Sequence, residues 1–199
     1  MRLLVTVGNA LQPFDRMLRT VDAALLRRPG AFDGVCQVGT SEVRPLGLRS
    51  VPVLSRPEFE EEMGRADIVI SHAGVGSIHT ALRYGHTPIV FARQARLGEH
   101  VNDHQVELVE AFADGARVLS TDDEAALLRH LDAFLEGKLC RRTPLRTPSE
   151  TGLRMIGEAL QFEVPHAPPM GRFIARLLAA FGPPLERLQQ PAHRTTVAR

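Results

Sequence analysis

Through about residue 136 the chain alternates short apolar runs with segments whose apolar residues recur at helical spacing. That alternation leaves few folds open. A strand that returns parallel to its predecessor needs a crossover lying on the sheet, so this order predicts an α/β fold with a Rossmann-like parallel sheet flanked by helices. Strands are expected over residues 3–7, 34–38, 51–54, 67–70, 88–91 and 117–119. Phe14, Met17, Leu18, Val21, Ala24 and Leu25 mark the first helix, with Pro13 in its first turn and Pro29-Gly30 ending it. Further helices are expected over 57–64, 76–84, 101–114 and 122–135. The last opens on the cap-rich Thr121-Asp122-Asp123-Glu124. Residues 39–50, broken by Gly39, Pro45 and Gly47, read as a loop.

In such a sheet, ligands collect beyond the carboxyl ends of the strands, and three loops there carry chemistry. The run Asp67-Ile68-Val69-Ile70 ends in Ser71-His72-Ala73-Gly74-Val75-Gly76-Ser77, after which a helical pattern begins. Glycines let a phosphate approach the backbone, and N–H groups at a helix start attract negative charge. Taken alone, the turn fits a phosphate cradle and a plain glycine-bearing βα connection equally well. It is neither GxGxxG with a later ribose-binding acid nor GxxxxGK[ST], which argues against a nicotinamide dinucleotide or an ATP-hydrolysing site. The first strand ends in Gly8-Asn9-Ala10. The strand at 88–91 leads into Arg93, Gly98, Glu99, His100, Asn102, Asp103, His104 and Gln105, a set rich in partners for sugar or ribose hydroxyls.

Other chemistries gather less support. His100 and His104 are four apart, a spacing compatible with metal ligands, yet no HExxH pattern or neighbouring cysteine accompanies them, and no metal is expected. Donation to phosphate or sugar oxygens is the better use of these histidines. His79 and His86 read as ordinary surface residues. Ser77 lies outside any GxSxG elbow. Glu60-Glu61-Glu62 reads as a solvated helix face rather than a paired-carboxylate site.

Composition narrows the partners. The formal net charge is +1, there is no Trp and only one Tyr, so neither electrostatics nor stacking platforms point to a nucleic acid. Cys36 and Cys140 fit no zinc or CxxC pattern and suit a reducing cytoplasm. No run approaches the ~20 apolar residues that span a bilayer, so membrane association is expected to be peripheral. From Gly137 onward Lys138, Arg141, Arg142 and Arg146 with Thr-Pro pairs read as a linker. Phe173, Ile174, Leu177, Leu178 and Phe181 then form one apolar face, and a basic end follows. The expected division is a ligand-binding domain over 1–136 and an appendage over 137–199.

Three stretches together carry a resemblance. Ser71-His72-Ala73-Gly74-Val75-Gly76-Ser77-Ile78, Ala81-Leu82-Arg83-Tyr84-Gly85-His86-Thr87-Pro88, and Arg93 with Gly98-Glu99-His100-Val101-Asn102-Asp103-His104-Gln105 resemble the C-terminal, donor-binding domain of glycosyltransferase family 28. Val5-Thr6-Val7-Gly8-Asn9 with Pro13-Phe14-Asp15 makes the chain similar to the short catalytic subunits of two-component enzymes. These act in bacterial exopolysaccharide assembly or add N-acetylglucosamine to dolichol-linked sugar.

The resemblance implies the C-terminal half of a GT-B fold that binds a UDP-sugar without a cofactor or essential metal. It also implies a membrane-anchored partner subunit and a lipid-linked sugar acceptor. The donor contacts it implies are Gly8, Asn9, His72, Ala73, Gly74, Val75, Gly76, Ser77, Thr80, Arg93, Asn102, His104 and Gln105, with Glu99, His100 and His72 as catalytic candidates. Arg93 offers a hint of a carboxylate-bearing donor. Thr80 departs from the acid that holds the ribose in the related muramyl-lipid transferases, which leaves that contact to Thr80 or to Glu99. The alternatives are a non-catalytic nucleotide-sugar sensor or scaffold and a UDP-sugar epimerase or hydrolase.

Overall fold

The structure is a computed structural model that describes residues 1–113 and 118–140. Six strands form one sheet: β1 (Arg2–Thr6), β2 (Asp33–Gln37), β3 (Arg49–Val51), β4 (Ile68–His72), β5 (Ile89–Phe91) and β6 (Leu119–Ser120). Their order is β3-β2-β1-β4-β5-β6, and every neighbouring pair is parallel. The strand order reverses between β1 and β4, each of which pairs with the other through Leu3↔Ile68 to Thr6↔Ser71.

Helices cover both faces: α1 (Asp15–Leu26), α2 (Arg56–Arg65), α3 (Val75–Arg83), α4 (His104–Ala113) and α5 (Glu124–Leu135). Strand side chains alternate between the faces, as the pleat requires. Leu3, Val5, Ile68, Ile70, Ile89 and Phe91 pack with Met17, Leu18 and Val21 of α1 and Leu127, Leu131 and Phe134 of α5. Leu4 and Val69 meet Met63 and Ala81 on the opposite face, where Val90 joins Ile78 and Leu82. A sheet covered on both sides explains why its strands read as unbroken apolar runs.

Helix boundaries follow local chemistry. Ser55 and Glu58 form a reciprocal capping box at the start of α2, and the Asp123 carboxylate accepts from the Ala126 N–H at 2.7 Å to open α5. Two expectations shift. Pro13 precedes α1 rather than lying in its first turn, because Phe14 leaves the helical path at φ −127° and donates its N–H to Ser41 Oγ at 2.7 Å. The third strand falls at Arg49–Val51, earlier than residues 51–54, because ladder pairing with Val35–Gln37 selects it over the exposed Val53. The proposed linker beyond residue 140 and the Phe173–Phe181 face lie outside the described residues.

Candidate functional site

The site begins where the strand order reverses, at the carboxyl ends of β1 and β4. Strand β4 continues past its apolar run because Ser71 and His72 still have ladder partners, Val90 and Phe91. His72 is therefore a strand residue, and its imidazole lies between the β1 and β4 turns. A Cβ built on Gly8 or on Gly74 would overlap that ring. Gly8, at φ +76°, and Gly74 are thus needed to house the histidine side chain, a role the sequence pattern alone assigned to phosphate approach.

Burial pushes the His72 pKa from 6.5 down to about 4, aided by the charge of Arg93 and by His100, while the Thr6 backbone opposes the shift. His72 is accordingly neutral near neutral pH, and its buried Nδ1 has no hydrogen-bond partner among the described residues. Between these two values the unfolded chain binds the proton that the folded chain refuses, so stability falls as pH drops from about 6.5 toward about 4. Urea midpoints are expected to decline from about pH 7 to about pH 5, and to decline less in His72→Gln. Equal slopes would remove His72 as the cause.

The next element is the start of α3. Gly74 caps it without any side-chain hydrogen bond, and the first intrahelical bond runs from the Ile78 N–H to the Gly74 carbonyl at 3.0 Å. The backbone N–H groups of Val75, Gly76 and Ser77 precede that bond, a cluster of donors with the positive end of the helix dipole behind it. A Cβ on Gly76 would meet nothing within 4 Å, so the helix start is open where an anion would approach. Ala73 is buried, and Thr80 donates its hydroxyl proton to the Gly76 carbonyl at 2.8 Å, inside its own helix.

Across the switch point, two residues that the sequence reading missed shape the Gly8-Asn9 turn. Thr6 Oγ1 accepts the Gly8 N–H at 3.1 Å and donates to Gln37 Oε1 at 3.1 Å. Gln37 Nε2 donates to the Gly8 carbonyl at 3.3 Å and to Asn9 Oδ1 at 3.0 Å. Asn9 is exposed, and its carboxamide oxygen is held from behind. A glutamine closing an otherwise apolar strand was the available signal for this arrangement.

The loop after β5 departs most from expectation. Arg93 is fully buried, its guanidinium donating to the carbonyls of Val7 (2.8 Å), Gln12 (2.8 Å) and Glu99 (2.9 Å), with its Cζ 4.6 Å from the centre of the Phe14 ring. Burial lowers its pKa to about 10, opposed by Glu99, so it keeps its charge near neutral pH. Both terminal nitrogens are committed to backbone carbonyls, and the buried Nε has no partner among the described residues, so Arg93 presents no open fork to a donor carboxylate.

Glu99 is also engaged: both of its oxygens accept from Arg16 at 2.9 Å, and one also accepts the Gln94 N–H at 3.0 Å. The ribose contact left to Thr80 or Glu99 therefore has neither group standing free. Gln105 is buried, and its Oε1 accepts the Arg93 N–H at 3.2 Å. The rings of His100 and His104 meet edge to face with centroids 4.7 Å apart, and Asn102 Oδ1 contacts His104 Nδ1. His100, His104 and the exposed Asn102 are the predicted residues of this loop left near solvent.

Three readings outside the site change. His79 and His86 are buried rather than on the surface, and His86 Nε2 lies 2.8 Å from the Met63 carbonyl, because the middle of α3 packs into the core through Ile78, Ala81 and Leu82, with Ala81 in one cluster with Met63 of α2. Glu62 is buried as well, its carboxylate paired with Arg2 at 2.7 Å and with Arg49 at 3.5 Å, so the 60–62 run is not a uniformly solvated face.

Residues 3–142 match the glycosyltransferase family 28 C-terminal domain. The UDP-N-acetylglucosamine transferase subunit ALG13 of Yarrowia lipolytica is 39% identical over 139 residues, covering 62% of this chain and 66% of that protein. The subunit of the same name from Mus musculus is 31% identical over 164 residues, covering 74% of this chain and 13% of that protein. The chain thus spans just under two thirds of one relative's length and a small part of the other's. The crystal structure of the glycotransferase of kitacinnamycin matches with a TM-score of 0.53 at 15% identity, over 96% of this chain and 43% of that one. The architecture is that of the C-terminal half of a GT-B glycosyltransferase. Because the family match takes in well over half of its length, the chain belongs to glycosyltransferase family 28, as a C-terminal domain of that family.

Proposed function

We propose that this chain binds the UDP-sugar donor of a glycosyltransferase and transfers the hexosyl group only in complex with a partner subunit. One observation carries the reading: the uncapped start of α3, with Gly76 open in front of it, faces the Gly8-Asn9 turn across the sheet's switch point. During transfer the bond from the sugar's anomeric carbon to the UDP oxygen breaks, and negative charge develops on the diphosphate. Fixed N–H donors at Val75, Gly76 and Ser77 stabilise that charge without reorganising. His100, His104 and Asn102 are left to meet the sugar.

The acceptor hydroxyl must also lose a proton to a base. Glu99 is held by Arg16, and His72 is kept neutral with a pKa of about 4, too weak a base for the task near neutral pH. The base is assigned to the partner, along with the acceptor site. The resemblance to two-component enzymes supports a lipid-linked acceptor and a cytoplasmic, peripheral position at the inner membrane face, held through an anchored partner. Among the described residues no helix is long and apolar enough to cross a membrane.

Calorimetry with UDP tests the donor site, and assay on a lipid-linked acceptor with and without the co-expressed partner tests the division of labour. Binding by the isolated chain with little transfer, and transfer restored by the partner, is the expected result. Absence of UDP binding would overturn the donor reading, and robust transfer by the isolated chain would overturn the two-subunit reading.

A further inference from the structure

We infer that Arg93 is a positioning residue that fastens the loop after β1 to the loop after β5, so that the two walls of the donor cleft move as one body. The functional half of this inference rests on the donor-binding reading above; the mechanical half does not.

Strands β1 and β5 are not neighbours, because β4 lies between them. Nothing in the ladder pairing therefore couples residues 7–14 to residues 92–105. Arg93 supplies the coupling. From the end of β5 its guanidinium crosses the end of β4 to the Val7 carbonyl, and also reaches the Gln12 carbonyl farther along the β1 loop. A third bond, to the Glu99 carbonyl, folds the β5 loop back on itself, and the Arg93 N–H orients Gln105.

Phe14 meets two arginines, with Arg93 Cζ at 4.6 Å and Arg16 Cζ at 5.3 Å from its ring centre. Arg16 adds a parallel tie. It donates to the Ala92 carbonyl at 2.7 Å and grips the Glu99 carboxylate, so the first turn of α1 is bound to the same loop.

A fully buried cation is costly unless fixed dipoles and ring faces replace its hydration. Here three carbonyls take the two terminal nitrogens and the Phe14 ring lies against the guanidinium, while the buried Nε has no partner among the described residues. The planar fork is what makes divergent carbonyls reachable. A lysine places one compact ammonium at the end of a flexible stem and cannot span three of them. Arg93→Lys keeps the charge and removes the geometry, and is therefore the informative variant.

Amide hydrogen exchange in the ligand-free protein is the direct test. In Arg93→Lys, amides of residues 8–12 and of residues 98–105 should both exchange about tenfold faster, while those of α5 stay within about twofold of wild type. Phe14→Leu should give the same paired pattern with smaller size, and stands in if Arg93→Lys fails to fold. Calorimetry should show the UDP Kd raised by about tenfold in Arg93→Lys. UDP should then protect the start of α3 without protecting residues 98–105.

Exchange that rises in one loop alone, in neither, or equally in α5 would overturn the latch. A wild-type protein that binds no UDP but whose variants show the paired exchange pattern would sink the donor reading and leave the latch standing.

Discussion

Gly76→Asp is expected to weaken UDP binding by about a hundredfold while leaving the fold intact or slightly firmer. Gly76 stands in the first turn of α3, and the space its side chain would occupy is empty for 4 Å around. An aspartate there meets no steric obstacle. Its carboxylate fills the position in front of the helix donors and competes with the diphosphate for them. Two like charges about 6 Å apart repel by roughly 3 kcal/mol at an effective dielectric near 20, which corresponds to about a hundredfold in Kd.

Stability should move the other way. Replacing a helical glycine by aspartate gains roughly 0.3 kcal/mol in propensity, and an acid in the first turn adds roughly 0.3–1 kcal/mol against the helix dipole. Calorimetry with UDP and a thermal melt on the same sample read both effects. Unchanged UDP affinity in a folded variant would remove the α3 start from the site.

Gly74→Ala is expected to cost stability and binding together, through a single side chain. The Gly74 backbone is ordinary extended chain, φ −88° and ψ 132°, so an alanine there suffers no backbone strain. Its methyl group, however, would overlap the His72 imidazole. The ring must move, and it moves against Gly8 and the Thr6-Gln37 network that holds the opposite turn. Overpacking of this kind costs roughly 1–3 kcal/mol, enough to lower Tm by roughly 2–12 °C in a chain of this size. If the histidine ring is the cause, the double variant His72→Ala, Gly74→Ala should regain most of the Tm that Gly74→Ala loses relative to His72→Ala alone. Additive losses would show that the methyl group acts elsewhere.

Most of the fold was legible because its signals are local and periodic. Apolar runs marked five of the six strands, and the cap at Asp123 fell within the acidic opening that the residue pattern put at 121–124. What slipped were edges and exposures. The third strand moved because pairing with Val35–Gln37, not its own apolarity, selects Arg49–Val51. His79, His86 and Glu62 were read as exposed because side-chain type predicts burial only until a partner is found. Glu62 finds Arg2, which lies sixty residues away.

The site was legible in part. The turn at 71–77 and the Gly8-Asn9 turn do face each other, as parallel topology requires. The roles within those turns were less visible. Gly8 and Gly74 make room for His72, whereas Gly76 alone of the three leaves open space. Arg93 and Glu99 carry the polarity expected of ligand contacts, yet each spends it on the protein itself.

By itself the sequence determined the class of fold and the family. Each of these depends on residue types at short spacing, which the chain displays directly. Tertiary structure alone decided which polar groups remain for a ligand. A guanidinium or carboxylate is committed or free according to what lies within about 3 Å of it, and those neighbours come from strands that only the folded sheet brings together.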